Sequence, residues 1–264
     1  YLRLNIILRF CKEKSEKFIG KIVENTFDAN EWRGKLRKLS DLFTPHGWIF
    51  ESSVSISAAV NNKYILNTEG TEIQMSEPYF RLMISLSTKA EDGMSLPLFK
   101  DYFSHSPTGF PDMATIEKDI RAMIELAGKL RKAPVIQNFT GPAILSGPAS
   151  GVFFHEIFGH RVEGHRLKNP KEAQTFKNSI NERILPEFID VVFDPTISQY
   201  KGHEISGNYL FDDEGVKSRK VETVKDGIFK DFLMSRRPVN NFLSSNGHGR
   251  KQAGYSVVSR QSNL

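Results

Sequence analysis

The sequence predicts an α+β protein: an antiparallel, β-rich, two-part architecture with long helices, and a His-Glu-x-x-x-His pattern on a bulged or interrupted helix. Three observations carry this reading. Apolar and polar residues alternate over residues 50–103, an amphipathic helical pattern follows at once, and the second half breaks into short strands separated by Gly-marked turns. The 264 residues, 39% hydrophobic and 25% charged, suffice for one large domain or two modest ones and exclude disorder or coiled coil as a whole-chain description.

Taken in order, residues 12–24 read as a helix, because Phe18, Ile19, Ile22 and Val23 give a partial apolar face. The β texture then begins with Val54, Ile56 and Ala58 alternating with serines, and Asn61-Asn62 reads as a turn. Strands over residues 64–68 and 71–75 flank Glu69-Gly70, and Leu82, Ile84 and Leu86 alternate with Met83, Ser85 and Ser87 before Asp92-Gly93. Pro111-Asp112 opens an amphipathic helix in which Ile116, Ile120, Met123, Ile124, Ala127 and Leu130 recur at helical spacing, closing at Arg131-Lys132 ahead of Pro134. A domain boundary is placed there, dividing the chain into 1–133 and 134–264.

The second half opens with a short strand at 143–145 between Gly141-Pro142 and Gly147-Pro148. Strands follow at 188–193 and 205–210, and Asp226-Gly227 joins a hairpin of 221–225 and 228–234. From residue 235 the chain is loop-like.

Charge and cysteine content exclude several functions. With 36 Lys and Arg against 31 Asp and Glu the net charge is +5, but the basic residues are scattered and form no phosphate-binding stripe, so no nucleic-acid partner is expected. The apolar stretch at 2–11 is broken by Arg3 and Arg9 and nothing else approaches a span, so no membrane association is expected. A single cysteine, Cys11, excludes an internal disulfide and any Cys-x-x-Cys site, and reads as a small buried hydrophobe. Starting at Tyr1 and stopping in a polar stretch at Leu264, the chain reads as a fragment of a longer protein.

The chemistry concentrates in residues 150–165, where His155, Glu156, His160, Glu163 and His165 follow a small-residue start suited to a helix. In the zinc-protease pattern His-Glu-x-x-His the histidines are four apart and share a helical face. Here they are five apart, which on a regular helix separates them by about 140°. A π-type bulge would bring them together, and Gly159 sits where the backbone needs that freedom. Glu156 would then be the general base that takes a proton from metal-activated water. The competing reading is a helix with one buried and two exposed histidines and no metal. Two histidines also fall short of the three protein ligands of a catalytic zinc, with His165, Glu163, His203 and His248 as candidates for the third.

Residues 139–145 (Phe139, Thr140, Gly141, Pro142, Ala143, Ile144, Leu145) and 151–164, with His155-Glu156-Ile157-Phe158-Gly159-His160-Arg161-Val162-Glu163-Gly164 at the centre, resemble the TldD/PmbA family, once called modulators of DNA gyrase, and within it the TldD-like metal-binding branch. The likeness continues through Leu210 to Gly215, Leu233 to Arg236, Asn246 to Arg250 and, upstream, Asn67 to Thr71. It covers most of the chain, and the His-Glu-x-x-x-His block is its specific part. The resemblance implies a metallopeptidase with one zinc held by His155 and His160, Glu156 as acid/base, and a cysteine in the C-terminal region completing the site. That cysteine does not carry over, since Cys11 precedes the motif. The resemblance also makes 1–133 the C-terminal part of the family's N-terminal α+β domain and 134–264 the first part of its β-rich metallopeptidase domain, so the fragment alone is expected to bind zinc weakly and to be inactive. It further implies unstructured peptide substrates, a PmbA/TldE-like partner subunit or a homo-oligomer, and a cytoplasmic location; bacterial members are linked to peptide-antibiotic maturation and antitoxin turnover. The alternative function is a non-catalytic binding or assembly partner using the same fold without metal.

Overall fold

The computed structural model describes residues 10–172, 174–239 and 241–264, so most of the apolar stretch at 2–11 lies outside the described residues. In chain order the strands and α-helices are β1 (Lys17–Ile19), α1 (Ala29–Asp41), β2 (Glu51–Leu66), β3 (Glu72–Lys89), β4 (Ser95–Ser104), α2 (Met113–Leu130), α3 (Gly147–Ile157), β5 (Val191–Phe193), β6 (Gln199–Tyr200), β7 (His203–Glu204), β8 (Val221–Lys225), β9 (Ile228–Phe229), β10 (Gly249–Arg250) and β11 (Val258–Ser259). This is an α+β chain. None of the described helices is long and apolar enough to cross a membrane. The chain divides into two compact units, one of Ile22–Asn62 and Ser76–Pro142, the other of the segment ending at Lys21, Lys63–Met75 and Ala143–Leu264.

The first unit is a helix-covered sheet. Strand β3 lies between β2 and β4, pairing antiparallel with β4 from Phe80↔Ser104 to Lys89↔Ser95. Its alternation puts Leu82, Ile84 and Leu86 on the buried face, where Ile116, Ile120, Met123, Ile124 and Ala127 of α2 and Trp32 and Leu39 of α1 close over them. Asp112 caps α2 by accepting from the Thr115 amide at 2.7 Å. Helix α1 has no counterpart among the expected elements, although Asp28 caps it by accepting from the Asn30 and Glu31 amides and Trp32, Leu36 and Leu39 recur at helical spacing. Asn61-Asn62 makes no turn, because β2, which pairs with β3, runs through it in extended form.

The second unit contains the turn at 67–71, where Asn67 accepts from the Glu69 and Thr71 amides and Gly70 takes a φ of +91°. The helix expected over 12–24 is replaced by β1, which pairs in parallel with Glu72–Gln74 of β3. Phe18 there packs on Phe211 with ring centroids 5.5 Å apart, so non-local pairing overrides a weak helical pattern. The hairpin turn at Asp226-Gly227 joins β8 to β9 in the sheet β5-β8-β9, with β9 ending at Phe229. The strand expected at 188–193 shortens to β5, and 143–145 and 205–210 are irregular, Ile144 being fully exposed. Phe158, Val162, Phe193, Val224, Phe229, Phe232 and Leu233 form the main core here. Side chains rather than ladders hold the loops around it. Asn246 accepts from the Met234 amide and donates to the Phe232 carbonyl, both at 2.7 Å, and buried Asp212 accepts from the Glu214, Val216 and Gly249 amides at 2.9 Å each.

Candidate metal centre

Helix α3 starts after Ser146 with Pro148 in its first turn, where a missing amide hydrogen costs nothing, and none of its residues is buried. It stops at Ile157. Phe158 caps it in a distorted right-handed conformation (φ −117°, ψ −56°), its amide still donating to the Phe154 carbonyl and its ring buried beside Phe176, and a 3-10 turn, Gly159–Val162, takes over. The motif therefore sits on an interrupted helix, and no π bulge occurs among the described residues. A Cβ at Gly159 would overlap the side-chain amide of Gln261, which would have to swing aside to admit it.

Across this break the His155 and His160 rings approach to 4.5 Å between centroids, with planes 75° apart. Glu156 lies between them, its carboxylate oxygens 3.8 Å from His155 Nε2 and 3.9 Å from His160 Nε2. One ligand atom from each of the three residues falls within 4.8 Å of the others, and the side chains of His155 and Glu156 are open to solvent, 47% and 61% exposed. Two imidazoles and a carboxylate so spaced are a donor set that suits zinc. Among the described residues no other His, Cys, Asp or Glu joins them.

The candidates for a further ligand lie elsewhere. Glu163 is buried and faces the far side of His160, 3.2 Å from Nδ1. His165 is half-buried, and burial pushes its pKa below the ordinary histidine value; it lines a cavity of about 650 Å³ with Arg250, Lys251 and Arg260. His203 is exposed on β7. His248 is fully buried between the Asn246 carbonyl at 3.0 Å and the Ser262 hydroxyl at 3.1 Å, and burial lowers its pKa to about 4. Cys11 is buried too, donating to Glu13 at 3.3 Å, and burial raises its thiol to about 11, which keeps it protonated. Two residues of the environment escaped the sequence: Gln261, whose Nε2 is 3.3 Å from His160 Nδ1, and Arg260, which reaches Glu163 at 3.4 Å. About a hundred positions separate them from the motif, and no local pattern marks such a contact.

Residues 139–264 match the family described as the PmbA/TldA metallopeptidase C-terminal domain. A protein of Archaeoglobus fulgidus named as a metalloprotease is 30% identical over 155 residues, 59% of this chain and 35% of that protein. A metalloprotease of Methanocaldococcus jannaschii is 26% identical over 269 residues, covering 100% of this chain and 56% of the relative. A zinc metalloprotease TldD homolog of Saccharolobus solfataricus is 34% identical over 95 residues, 36% of this chain and 20% of that one. The chain thus spans about half the length, or less, of these relatives. In fold it is similar to a Thermotoga maritima structure named for modulation of a DNA gyrase (TM-score 0.62, 16% identity, 97% of this chain and 56% of that one) and to TldE from Thermococcus kodakarensis (TM-score 0.57, 16% identity, 92% and 55%).

Proposed function

Residues 139–264 belong to the PmbA/TldA metallopeptidase C-terminal domain family, and on that premise we propose that the chain is the metal-binding part of a zinc-dependent metallopeptidase subunit acting on unstructured peptides. The observation behind the proposal is the convergence of His155, Glu156 and His160 across the break after α3. His155 and His160 would hold one zinc ion through their Nε2 atoms. Bound there, zinc supplies Lewis-acid chemistry, acidifying water and polarising a carbonyl. Glu156, solvent-facing and level with both imidazoles, accepts the proton of the attacking water and returns it to the leaving amine. Among the described residues strand β5 pairs in its sheet only with β8; Val191 and Val192 line a cavity of about 690 Å³ with Ser150, Gly151 and Phe154 of α3, and Asn263, which accepts from the Asp194 amide at 2.8 Å, lines it too. An extended peptide backbone could add to such an edge without regard to its sequence.

A third protein ligand outside this chain, a TldE-like partner subunit or a second copy, and a cytoplasmic setting complete the proposal. The fold likeness to TldE supports the partner. A division at 133/134 is proposed for the sequence-level domains, whereas the compact units interleave along the chain.

The experiment is Glu156→Gln in the full-length protein. Zinc content is expected to stay unchanged while peptide hydrolysis falls by about 10²–10⁴-fold, the usual worth of a general base. Loss of zinc would make Glu156 a ligand instead, and full activity would remove it from the chemistry. Wild-type protein that holds no zinc and cleaves no peptide would favour the non-catalytic assembly role.

A further inference from the structure

We infer that Glu163 is a positioning residue: it holds the proton of His160 on Nδ1 and so turns the Nε2 lone pair toward His155 and Glu156. The use of that lone pair for a metal rests on the function proposed above; the tautomer does not.

Glu163 is 1% exposed, a setting in which a carboxylate must be compensated. Its Oε2 accepts from Arg166 Nε at 2.8 Å, and its Oε1 is 3.2 Å from His160 Nδ1 and accepts from Arg260 Nη1 at 3.4 Å. The backbone on both sides of it is clamped to one residue. The Leu233 amide donates to the Val162 carbonyl at 2.8 Å, and the Gly164 amide donates to the Leu233 carbonyl at 2.9 Å. Val162 and Leu233 are wholly buried, and a Cβ at Gly164 would press on the Leu233 carbonyl at 2.9 Å and on the Met234 side chain, so the segment lies close against the core. His160 is thus supported by the rigid core, whereas α3, which carries His155, has no buried residue.

Two groups compete for His160 Nδ1. The Glu163 carboxylate can only accept, whereas Gln261 Nε2, at 3.3 Å, can only donate. One nitrogen cannot serve both. The contact is close enough for the buried carboxylate to attract an Nδ1 proton electrostatically, whereas a bare Nδ1 would set a lone pair against it. Gln261 is compatible with the same outcome, because its Oε1 makes no bond that turning the amide would break. Turned over about its last bond, the amide brings that oxygen toward the Nδ1 proton. Both neighbours then accept and no lone pairs oppose. Fixing a tautomer through the second ring nitrogen is what outer carboxylates do for metal-binding histidines.

The test reads the ring nitrogens of metal-free, full-length protein by long-range 1H–15N correlation at a pH where the imidazoles are neutral, with the His160 signals identified by their loss in His160→Gln. Wild type is expected to show Nδ1 protonated and Nε2 bare; a proton on Nε2 would overturn the inference. In Glu163→Gln the population should shift toward the Nε2 proton, and an unchanged tautomer would also count against the assignment. Zinc affinity, read by chelator competition, should drop about 10–100-fold in Glu163→Gln and partly recover in Glu163→Asp; an unchanged affinity in protein that binds zinc would overturn the positioning role. Should wild type bind no zinc, the metallopeptidase proposal fails while the tautomer still decides the role of Glu163. Should Glu163→Gln not fold, the wild-type tautomer decides alone.

Discussion

The unit built on β3, β4 and α2 and the unit that contains the His155–His160 cluster are stabilised in different ways. In the first, apolar residues recur with the period of their own element: Leu82, Ile84 and Leu86 every second residue, Ile116, Ile120, Met123, Ile124 and Ala127 at helical spacing. In the second, the strands around the core are two to five residues long, and buried polar side chains such as Asn246, Asp212 and His248 tie loops to one another. The difference teaches where each unit is vulnerable. A core of interlocked aliphatic side chains answers to lost volume and is indifferent to protons. Loops tied around a core by buried polar groups answer to lost partners and to pH.

Truncation should therefore have its largest effect in the first unit. Ile120 is 1% exposed against the sheet, and Ile120→Ala should cost about 3–4 kcal/mol in urea unfolding, equally at pH 5 and pH 8. A cost under about 1 kcal/mol would mean that the helix face is loosely packed.

Acid should separate the units next. Burial lowers His248 to about 4, opposed by the Asn246 carbonyl and Asp194 and assisted by Arg219 and Arg250. Its folded pKa lies below its unfolded one, so its contribution is whole above about pH 6.5 and is lost as pH falls toward about 4. Over that window the loss amounts to at most about 3 kcal/mol. Asp212 runs the other way. Burial outweighs its three amide bonds and lifts it to about 7, so the stability it adds is present below its unfolded value near 4 and is lost as pH rises toward 7. The two slopes partly cancel, which makes the difference between wild type and His248→Gln the useful quantity. That difference should shrink as pH falls from 6.5 to 4, and a difference constant with pH would contradict a buried neutral His248.

The same contrast governs what the sequence reveals. Periodicity identifies α2 and the β3 alternation because each residue there is chosen by its own element. It fails at residues 12–24, where the decisive partner of Phe18 is Phe211, nearly two hundred positions on. It fails again at 143–145 and 205–210, where turn residues and β-formers sit without a ladder. Helix α1 was legible in Asp28, Trp32, Leu36 and Leu39, a cap and three apolar residues on one face. In the candidate site, the five-residue spacing of the histidines demands a departure from regular helix, while its form, an α-helix ending at Ile157 with Phe158 buried in the core and a 3-10 turn after it, depends on a core the motif does not contain. For the same reason Glu163 reads from sequence as a spare ligand, whereas Arg166, Arg260 and the Leu233 backbone hold it on the other side of the ring.

Zinc content decides whether His155 and His160 share one metal ion. Full-length protein freed of loosely bound metal should retain about one zinc per chain, and His155→Ala and His160→Ala should each lose it while remaining folded, since a catalytic zinc depends on every one of its few protein ligands. Zinc retained at full stoichiometry in both variants would contradict the account.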